Sequence, residues 1–135
     1  MEKILDILEF PLEKAFIKKK NTKNFPYAAI APLVDRLSQE FPDFTFILFG
    51  SRAKGTAWKY SDFDIGVYSA NKIDPKRLSQ LMNTKEALEE NLPWFIDFVD
   101  LTRADKNFLQ SISKNWIFLT GPLSGWVSLQ QQYGP

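Results

Sequence analysis

The run Phe44–Phe49 constrains the fold of this 135-residue chain more than any other segment. It consists of apolar and β-branched residues without interruption, a pattern typical of a strand that is buried on both faces. The run stops at Gly50-Ser51, a pair that marks a turn. We therefore expect a buried β-strand that ends at a glycine–serine turn.

Helical and extended patterns alternate along the rest of the chain. An amphipathic helix is predicted by the i, i+3, i+4, i+7, i+11 spacing of Ile30, Leu33, Val34, Leu37 and Phe41. Further strands are predicted at Asp62–Tyr68, Trp94–Leu101 and Trp116–Leu119, with helices between them that begin at Asp74-Pro75 and contain Phe108. This alternation predicts an α/β or α+β domain with a small mixed sheet flanked by helices.

Two carboxylates stand next to each other at the start of the second predicted strand. In Asp62-x-Asp64 the two-residue period of a strand places both side chains on one face, while Phe63 points to the core. Neighbouring carboxylates on a strand repel each other, so the pair does not stabilise the fold. Bound Mg²⁺ would relieve that repulsion, and we interpret the pair as a functional site.

The turn that precedes this pair suits a phosphate ligand. Gly50 has no Cβ, so a phosphate can approach the backbone closely there. Ser51 lies where the strand continues into a short helix, and we expect the backbone amides at that helix start to point at the ligand.

The composition excludes several classes of catalyst and partner. The chain has no Cys and no His, so it has no disulfide, no thiol nucleophile, no imidazole base and no His-ligated zinc. A catalyst must use carboxylates, hydroxyls, Lys or Arg, with a hard metal such as Mg²⁺. With 17 basic and 16 acidic residues, no strong nucleic-acid binding is expected. No signal peptide or membrane span is evident, and we expect a cytoplasmic protein that does not bind membranes.

The segment Gly50–Asp64 resembles the signature of the minimal nucleotidyltransferase family, which belongs to the DNA polymerase β-like nucleotidyltransferase superfamily. That signature is a Gly-Ser pair, a basic turn that contains glycine, and Ser-Asp-x-Asp followed by apolar residues. The matching residues are Gly50, Ser51, Arg52, Ala53, Gly55, Ser61, Asp62 and Asp64. Lys54 stands where the family usually has arginine, which keeps the charge but loses the bidentate fork. The resemblance covers about residues 44–119.

The resemblance implies transfer of a nucleoside monophosphate from a nucleoside triphosphate, with ATP expected, to an acceptor hydroxyl. Asp62 and Asp64 would bind two Mg²⁺ ions, and a third carboxylate on the neighbouring strand would complete one metal site. That carboxylate would also help to deprotonate the acceptor. The residues expected to hold the nucleotide are Gly50 and Ser51, with Arg52 or Lys54.

We expect the third carboxylate to be Asp97 rather than Asp100. The helix between the second and third strands is a crossover connection, which makes those strands parallel if they pair in one sheet. Since Asp62 and Asp64 stand at the start of their strand, the third carboxylate should stand near the start of its own. Asp100 lies three residues beyond Asp97, on the opposite face and roughly 10 Å further along.

The sequence divides into an N-terminal helical extension over residues 1–24, a nucleotidyltransferase domain over residues 25–120, and a tail of unassigned structure over residues 121–135. The chain leaves little room for a separate acceptor-binding domain. Small members of the family resemble the antitoxin half of a pair whose other half is a helical HEPN-type ribonuclease toxin, which can receive AMP on a tyrosine.

Three hypotheses about function stay open at this point. The acceptor is a partner toxin protein, or it is a small molecule such as an aminoglycoside, or the fold is a toxin-neutralising binding module without turnover. The exposed aromatics Trp58 and Tyr60 are candidates for a partner interface, with ordinary packing as the alternative. The oligomeric state stays open, with an oligomer as one option.

Overall fold

The computed structural model describes residues 27–134, which form one four-stranded sheet and five helices. The helices are α1 (Tyr27–Glu40), α2 (Gly50–Lys54), α3 (Pro75–Glu89), α4 (Lys106–Ile112) and α5 (Leu123–Tyr133). The strands are β1 (Thr45–Phe49), β2 (Phe63–Tyr68), β3 (Ile96–Asp100) and β4 (Ile117–Thr120). The helical extension predicted for residues 1–24 lies outside the described residues.

The predicted mixed sheet is confirmed. Its strand order is β3-β2-β1-β4, in which β1 is antiparallel to both β2 and β4, and β2 is parallel to β3. The parallel pair follows from α3, which connects the end of β2 to the start of β3 as a crossover. β1 is buried along its whole length, as the apolar run Phe44–Phe49 predicts.

Helices cover both faces of the sheet and give the domain two hydrophobic layers. On one face, α1 and α3 pack against the side chains of β1 and β2 that include Phe46, Leu48, Phe63, Ile65 and Val67. On the other face, α4 and α5 place Leu109 and Leu129 against Ile47 and Phe49. Among the helices of residues 27–134, none combines the length and the hydropathy that crossing a bilayer requires.

The tail, whose structure the sequence pattern leaves unassigned, forms α5. Its helix buries Gly125 and Leu129, and the Trp126 ring packs on the rings of Trp116 and Phe118 with centroids 5.5 and 5.7 Å apart. The inward face of α5 therefore combines a glycine, one leucine and a tryptophan. Such a mixture has a weak helical period, which explains why the pattern did not indicate a helix.

Candidate active site

The predicted site residues meet at one edge of the sheet. β1 ends at Phe49, which pairs with Asp64 on antiparallel β2, and Asp64 pairs with Asp97 on parallel β3. Neighbouring strands lie about 4.8 Å apart, so Asp64 stands between the Gly50-Ser51 turn and Asp97. The predicted parallel pairing thus brings Asp97 beside the Asp-x-Asp pair.

The alternation of side chains on β2 follows the prediction. Phe63 and Ile65 are fully buried on the face covered by α1 and α3, whereas Asp64 is half-buried on the other face. Asp62 is exposed and directly precedes the first residue of β2. The two carboxylates of the motif therefore emerge on the same side of the sheet.

Position 50 requires a glycine for two reasons, its backbone conformation and the close approach of a side chain. Its φ of +74° lies in the left-handed region that favours glycine. A Cβ built on Gly50 would overlap the Oδ2 atom of Asp64, so the Asp64 carboxylate lies directly over this residue. Ser51 follows in the first turn of α2, where its carbonyl accepts hydrogen bonds from the Gly55 and Thr56 N–H groups, both at 3.0 Å. The glycine–serine turn and the carboxylate thus form one tightly packed unit.

The three carboxylates repel one another. Burial raises the pKa of the Asp64 carboxyl above its ordinary value, and the negative charges of Asp97 and then Asp62 raise it further. A group of like charges that includes one half-buried carboxylate is unfavourable in the apo protein. A bound cation would remove this cost.

The donor set fits magnesium. The chain offers no Cys or His ligand, and carboxylate oxygens are hard ligands of the kind Mg²⁺ prefers. Within residues 27–134 no group of three or more acidic side chains is arranged so that it could hold a metal ion by itself. This is the usual situation for Mg²⁺, which takes one or two carboxylates and completes its shell with water and substrate phosphate oxygens. One or two carboxylates from among Asp62, Asp64 and Asp97 therefore fit an ion whose remaining ligands are water and phosphate oxygens.

The two basic residues predicted to contact the nucleotide have different environments. Lys54 is exposed at the end of α2, where its ammonium group is accessible. Arg52 is only 1% exposed, and its guanidinium donates to the carbonyl oxygens of Ser61 and Lys59 at 2.8 and 3.0 Å. This burial speaks against the predicted phosphate contact of Arg52 and leaves Lys54 as the candidate cation.

Two aromatic residues that the sequence analysis does not assign to the site surround Arg52. Its guanidinium carbon lies 4.5 Å from the centre of the Phe63 ring and 5.7 Å from that of the Trp94 ring. Burial lowers the pKa of the Arg52 guanidinium, and the negative charge of Asp62 partly offsets this effect. The Gly-Ser-Arg sequence motif alone does not indicate whether its arginine is exposed or buried.

Asp100 lies away from the three carboxylates. It pairs with Val67, three residue pairs beyond the Asp64–Asp97 pair. Its Oδ1 atom accepts a hydrogen bond from the Thr102 N–H at 3.0 Å, and its Oδ2 atom lies 3.7 Å from Nε of Arg103. Asp100 is thus a strand-end residue that orders the following turn.

Exposed aromatic side chains lie on both segments that precede β2 and β3. Trp58 and Tyr60, in the loop before β2, are 83% and 66% exposed, and Phe95, directly before β3, is 72% exposed. The two segments are in contact, because the Phe63 N–H donates to the Phe95 carbonyl at 3.0 Å. Trp58 and Tyr60 were predicted as candidates for a partner interface, whereas Phe95 was not, since an apolar strand pattern does not reveal which end residue faces water.

Several known proteins are similar to this chain. The "Probable protein adenylyltransferase MntA" of Haemophilus influenzae is 38% identical over 84 residues, which are 62% of this chain and 71% of that protein. A crystal structure of an MntA–HpeT toxin–antitoxin mutant superposes with a TM-score of 0.58 at 24% identity, over 76% of this chain and 80% of that one.

Two further solved structures share the fold. A toxin–antitoxin crystal structure with AMP-PNP has a TM-score of 0.55 at 24% identity and covers 76% of this chain and 90% of that one. The complex of a tri-AMPylated Shewanella oneidensis HEPN toxin with its MNT antitoxin has a TM-score of 0.54 at 21% identity, over 78% and 81% of the two chains.

The family match covers the whole site. Residues 36–121 match the family model described as polymerase beta, nucleotidyltransferase. This range contains the glycine–serine turn, the Asp-x-Asp pair and the strand that carries Asp97. The chain therefore belongs to the polymerase β nucleotidyltransferase family and is a nucleotidyltransferase with a polymerase β-like fold.

Proposed function

We propose that this enzyme transfers AMP from ATP to a hydroxyl of a partner protein, a HEPN-type toxin, and thereby acts as its antitoxin. The observation that carries the proposal is the pairing of Asp64 with Asp97, beside Asp62 and above the Gly50-Ser51 turn. Adenine as the base and a toxin as the acceptor are supported by the relatives, which include an adenylyltransferase, a complex with AMP-PNP and an AMPylated HEPN toxin.

Asp62, Asp64 and Asp97 would hold two Mg²⁺ ions. When bound, Mg²⁺ neutralises phosphate charge and makes the α-phosphorus more electrophilic. Gly50 and Ser51 bind the β- and γ-phosphates, and the exposed Lys54 ammonium adds positive charge next to them. The chain's own residues thus orient the triphosphate, and catalysis rests on positioning and on charge neutralisation.

The chemical step conserves atoms and charge in a simple way. The acceptor oxygen forms a bond to the α-phosphorus, the bond from that phosphorus to the α,β-bridging oxygen breaks, and pyrophosphate leaves. The proton of the acceptor hydroxyl passes to a carboxylate. Asp97 is exposed and stands at the open side of the site on the edge strand β3, so its carboxylate is the candidate proton acceptor.

The exposed aromatics suit a protein acceptor. Trp58 and Tyr60 lie in the loop before Asp62, and Phe95 lies two residues before Asp97, so the exposed aromatics are next in sequence to two of the three carboxylates. Aromatic side chains contribute strongly to protein interfaces when they are held rigidly. Because aromatic residues are enriched at protein interfaces, these side chains favour a polypeptide acceptor over an aminoglycoside.

Binding and transfer test the proposal separately. Calorimetry with ATP should show heat of binding with Mg²⁺ and little heat without it, because the carboxylates repel the triphosphate until a cation joins them. Equal heats under both conditions, or none under either, would contradict the metal site.

Transfer is tested by co-expression with a HEPN-type toxin, which we expect to be encoded beside this chain. Affinity purification should recover both proteins, and intact-mass spectrometry should show added AMP groups on a tyrosine of the partner. A stable complex without added AMP would favour the non-catalytic module. An isolated chain that labels an aminoglycoside from α-labelled ATP would favour the small-molecule enzyme.

A further inference from the structure

The loop before Asp62 is held by a buried arginine. Arg52 donates from Nη2 to the carbonyl oxygens of Ser61 and Lys59 at 2.8 and 3.0 Å, and from Nε to the Ser61 carbonyl at 3.3 Å. Both acceptors belong to the three residues directly before Asp62. The planar guanidinium is suited to such forked contacts, which a lysine ammonium cannot reproduce.

A second element reaches the same loop. Trp94, just before β3, donates from Nε1 to the Lys59 carbonyl at 2.7 Å, and its ring forms part of the aromatic enclosure around Arg52. The loop also closes on itself, since the Ser61 hydroxyl accepts from the Trp58 N–H at 2.8 Å. We call Arg52, Trp94 and the carbonyls of Lys59 and Ser61 the Arg52 network.

The three carboxylates are positioned by different means. Asp64 and Asp97 lie within paired strands, where the ladder of hydrogen bonds sets their places. Asp62 precedes β2 and is exposed, so strand pairing does not set its position. The peptide group that joins Ser61 to Asp62 carries the carbonyl that receives two of the Arg52 contacts.

A buried guanidinium is a costly way to fill a core position, because burying a charge is unfavourable unless it is well compensated. Apolar side chains of similar volume would often stabilise such a position better. The contacts of Arg52 are aimed at backbone carbonyls next to a proposed metal ligand, which indicates a purpose other than general stability.

We infer that Arg52 is a positioning residue that holds Asp62 in place for the metal and the triphosphate. The inference rests on the proposed function, because it assigns Asp62 to the metal site. It also replaces the predicted direct contact of Arg52 with phosphate by an indirect role through the loop.

The test compares Arg52→Lys with Arg77→Lys. Arg77 is a matched control: its guanidinium lies 4.7 and 5.3 Å from the centres of the Phe41 and Phe44 rings, and it contacts Asp43 at 2.8 Å, far from the site. Both substitutions remove a guanidinium that stacks on two rings, but only Arg52→Lys releases the loop before Asp62.

The first readout uses the metal-free protein. Hydrogen–deuterium exchange by mass spectrometry should show faster exchange in a peptide over residues 58–63 for Arg52→Lys and unchanged exchange there for Arg77→Lys. The second readout is calorimetry with Mg²⁺ and ATP, in which Arg52→Lys should weaken binding about 10- to 100-fold, the range typical for residues that orient metal ligands.

A double-mutant cycle with Asp62→Asn separates positioning from a direct phosphate contact. If Arg52 acts through Asp62, the effect of Arg52→Lys on ATP binding should largely disappear in the Asp62→Asn background. If Arg52→Lys does not fold, Trp94→Phe serves instead, because it removes one donor to Lys59 and keeps an aromatic ring. Its expected effects have the same direction and are smaller.

The outcomes are distinct. Wild-type protein that binds ATP with Mg²⁺, together with an Arg52→Lys variant that binds equally well, overturns this inference and leaves the proposed function standing. Equal weakening by Arg52→Lys and Arg77→Lys, or full additivity with Asp62→Asn, also overturns it. Wild-type protein that shows no Mg²⁺-dependent binding removes the proposed function and this inference with it.

Discussion

The two ends of the β1–β2 ladder have the same antiparallel backbone pairing but differ in their polar groups, which are neutral at one end and include like charges at the other. At one end Phe49 pairs with Asp64, and at the other Thr45 pairs with Tyr68. Each end has a glycine on which a Cβ would overlap a polar side-chain atom, Asp64 Oδ2 at Gly50 and Thr45 Oγ1 at Gly125.

The polar groups at one end form hydrogen bonds with their neighbours, whereas the carboxylates at the other end repel one another. At the far end Thr45 donates to the Pro122 carbonyl at 2.9 Å, and the Tyr68 hydroxyl lies 3.5 Å from that of Ser128. At the other end, burial and then the negative charges of Asp97 and Asp62 raise the pKa of the Asp64 carboxyl. The polar groups of the far end are paired within the protein, whereas the carboxylates of the Asp64 end carry like charges that a bound cation would compensate.

The largest difference in AMP transfer is expected between variants that lose a site carboxylate and a variant that loses a carboxylate elsewhere on the same strand. Asp64→Asn and Asp97→Asn should each reduce AMP transfer by about 10³-fold, on the order of removing one group that stabilises transition-state charge. Asp100→Asn is the matched control on the same strand, and it should stay close to wild type because Asp100 orders only the Thr102 turn. Transfer from α-labelled ATP at saturating Mg²⁺ measures all three. An inactive Asp100→Asn with an active Asp97→Asn would contradict the assignment.

The two glycines give the next contrast. Gly50→Ala should reduce transfer by about 10²-fold, because the added Cβ displaces Asp64 and a misplaced reacting group costs about that much. It should also lower the free energy of unfolding by about 1–2 kcal/mol, since alanine is strained at positive φ.

Gly125→Ala should likewise destabilise the fold, by about 1–3 kcal/mol through crowding of Thr45, while the rate of transfer per folded molecule stays unchanged. Urea unfolding and transfer assays at a temperature well below both midpoints separate the two effects. Equal loss of transfer in both variants would mean that Gly50 acts only on stability.

The exposed aromatics Trp58 and Tyr60 should affect binding of the acceptor protein and leave binding of the nucleotide unchanged. Trp58→Ala combined with Tyr60→Ala should raise the KM for the partner protein about tenfold, which corresponds to roughly 1.4 kcal/mol of binding. ATP binding with Mg²⁺ should not change. Val127→Ala, which truncates an exposed apolar side chain on α5, is the control. A larger effect on ATP binding than on the partner KM would assign these aromatics to the nucleobase instead.

The smallest effect concerns stability and pH in metal-free buffer. Because the folded-state pKa of Asp64 is raised, this residue favours the folded state fully below the ordinary carboxyl pKa, and that stabilisation is lost as pH rises through the raised value. Asp64→Asn should therefore raise Tm at neutral pH by no more than a few degrees, since a half-exposed carboxylate is well screened.

The Tm difference between Asp64→Asn and wild type should shrink as pH falls below the ordinary carboxyl pKa. Excess Mg²⁺ and ATP should reverse its sign at neutral pH, because only the wild type then gains binding energy. Thermal unfolding at several pH values checks this. An Asp64→Asn protein that is less stable than wild type in metal-free buffer at neutral pH would mean that Asp64 is structural.

Much of the fold was accessible from local patterns. The apolar run Phe44–Phe49 predicted the buried strand β1, and the Asp74-Pro75 helix start predicted the crossover that makes β2 and β3 parallel. The register that places Asp97 beside Asp64 followed from these elements, because parallel strands that begin at the same edge align their first residues.

The motif, the strands that carry it and the edge of the sheet where they meet follow from patterns within short segments, since strand periodicity and helix start signals are local properties of the chain. The burial of Arg52, the exposure of Lys54 and Phe95, and the helix α5 in the tail depend instead on tertiary packing. Whether a side chain is buried depends on which distant residues pack around it. Phe63 in β2 and Trp94 before β3 enclose Arg52. The residue pattern of Gly50–Lys54 contains no information about these contacts.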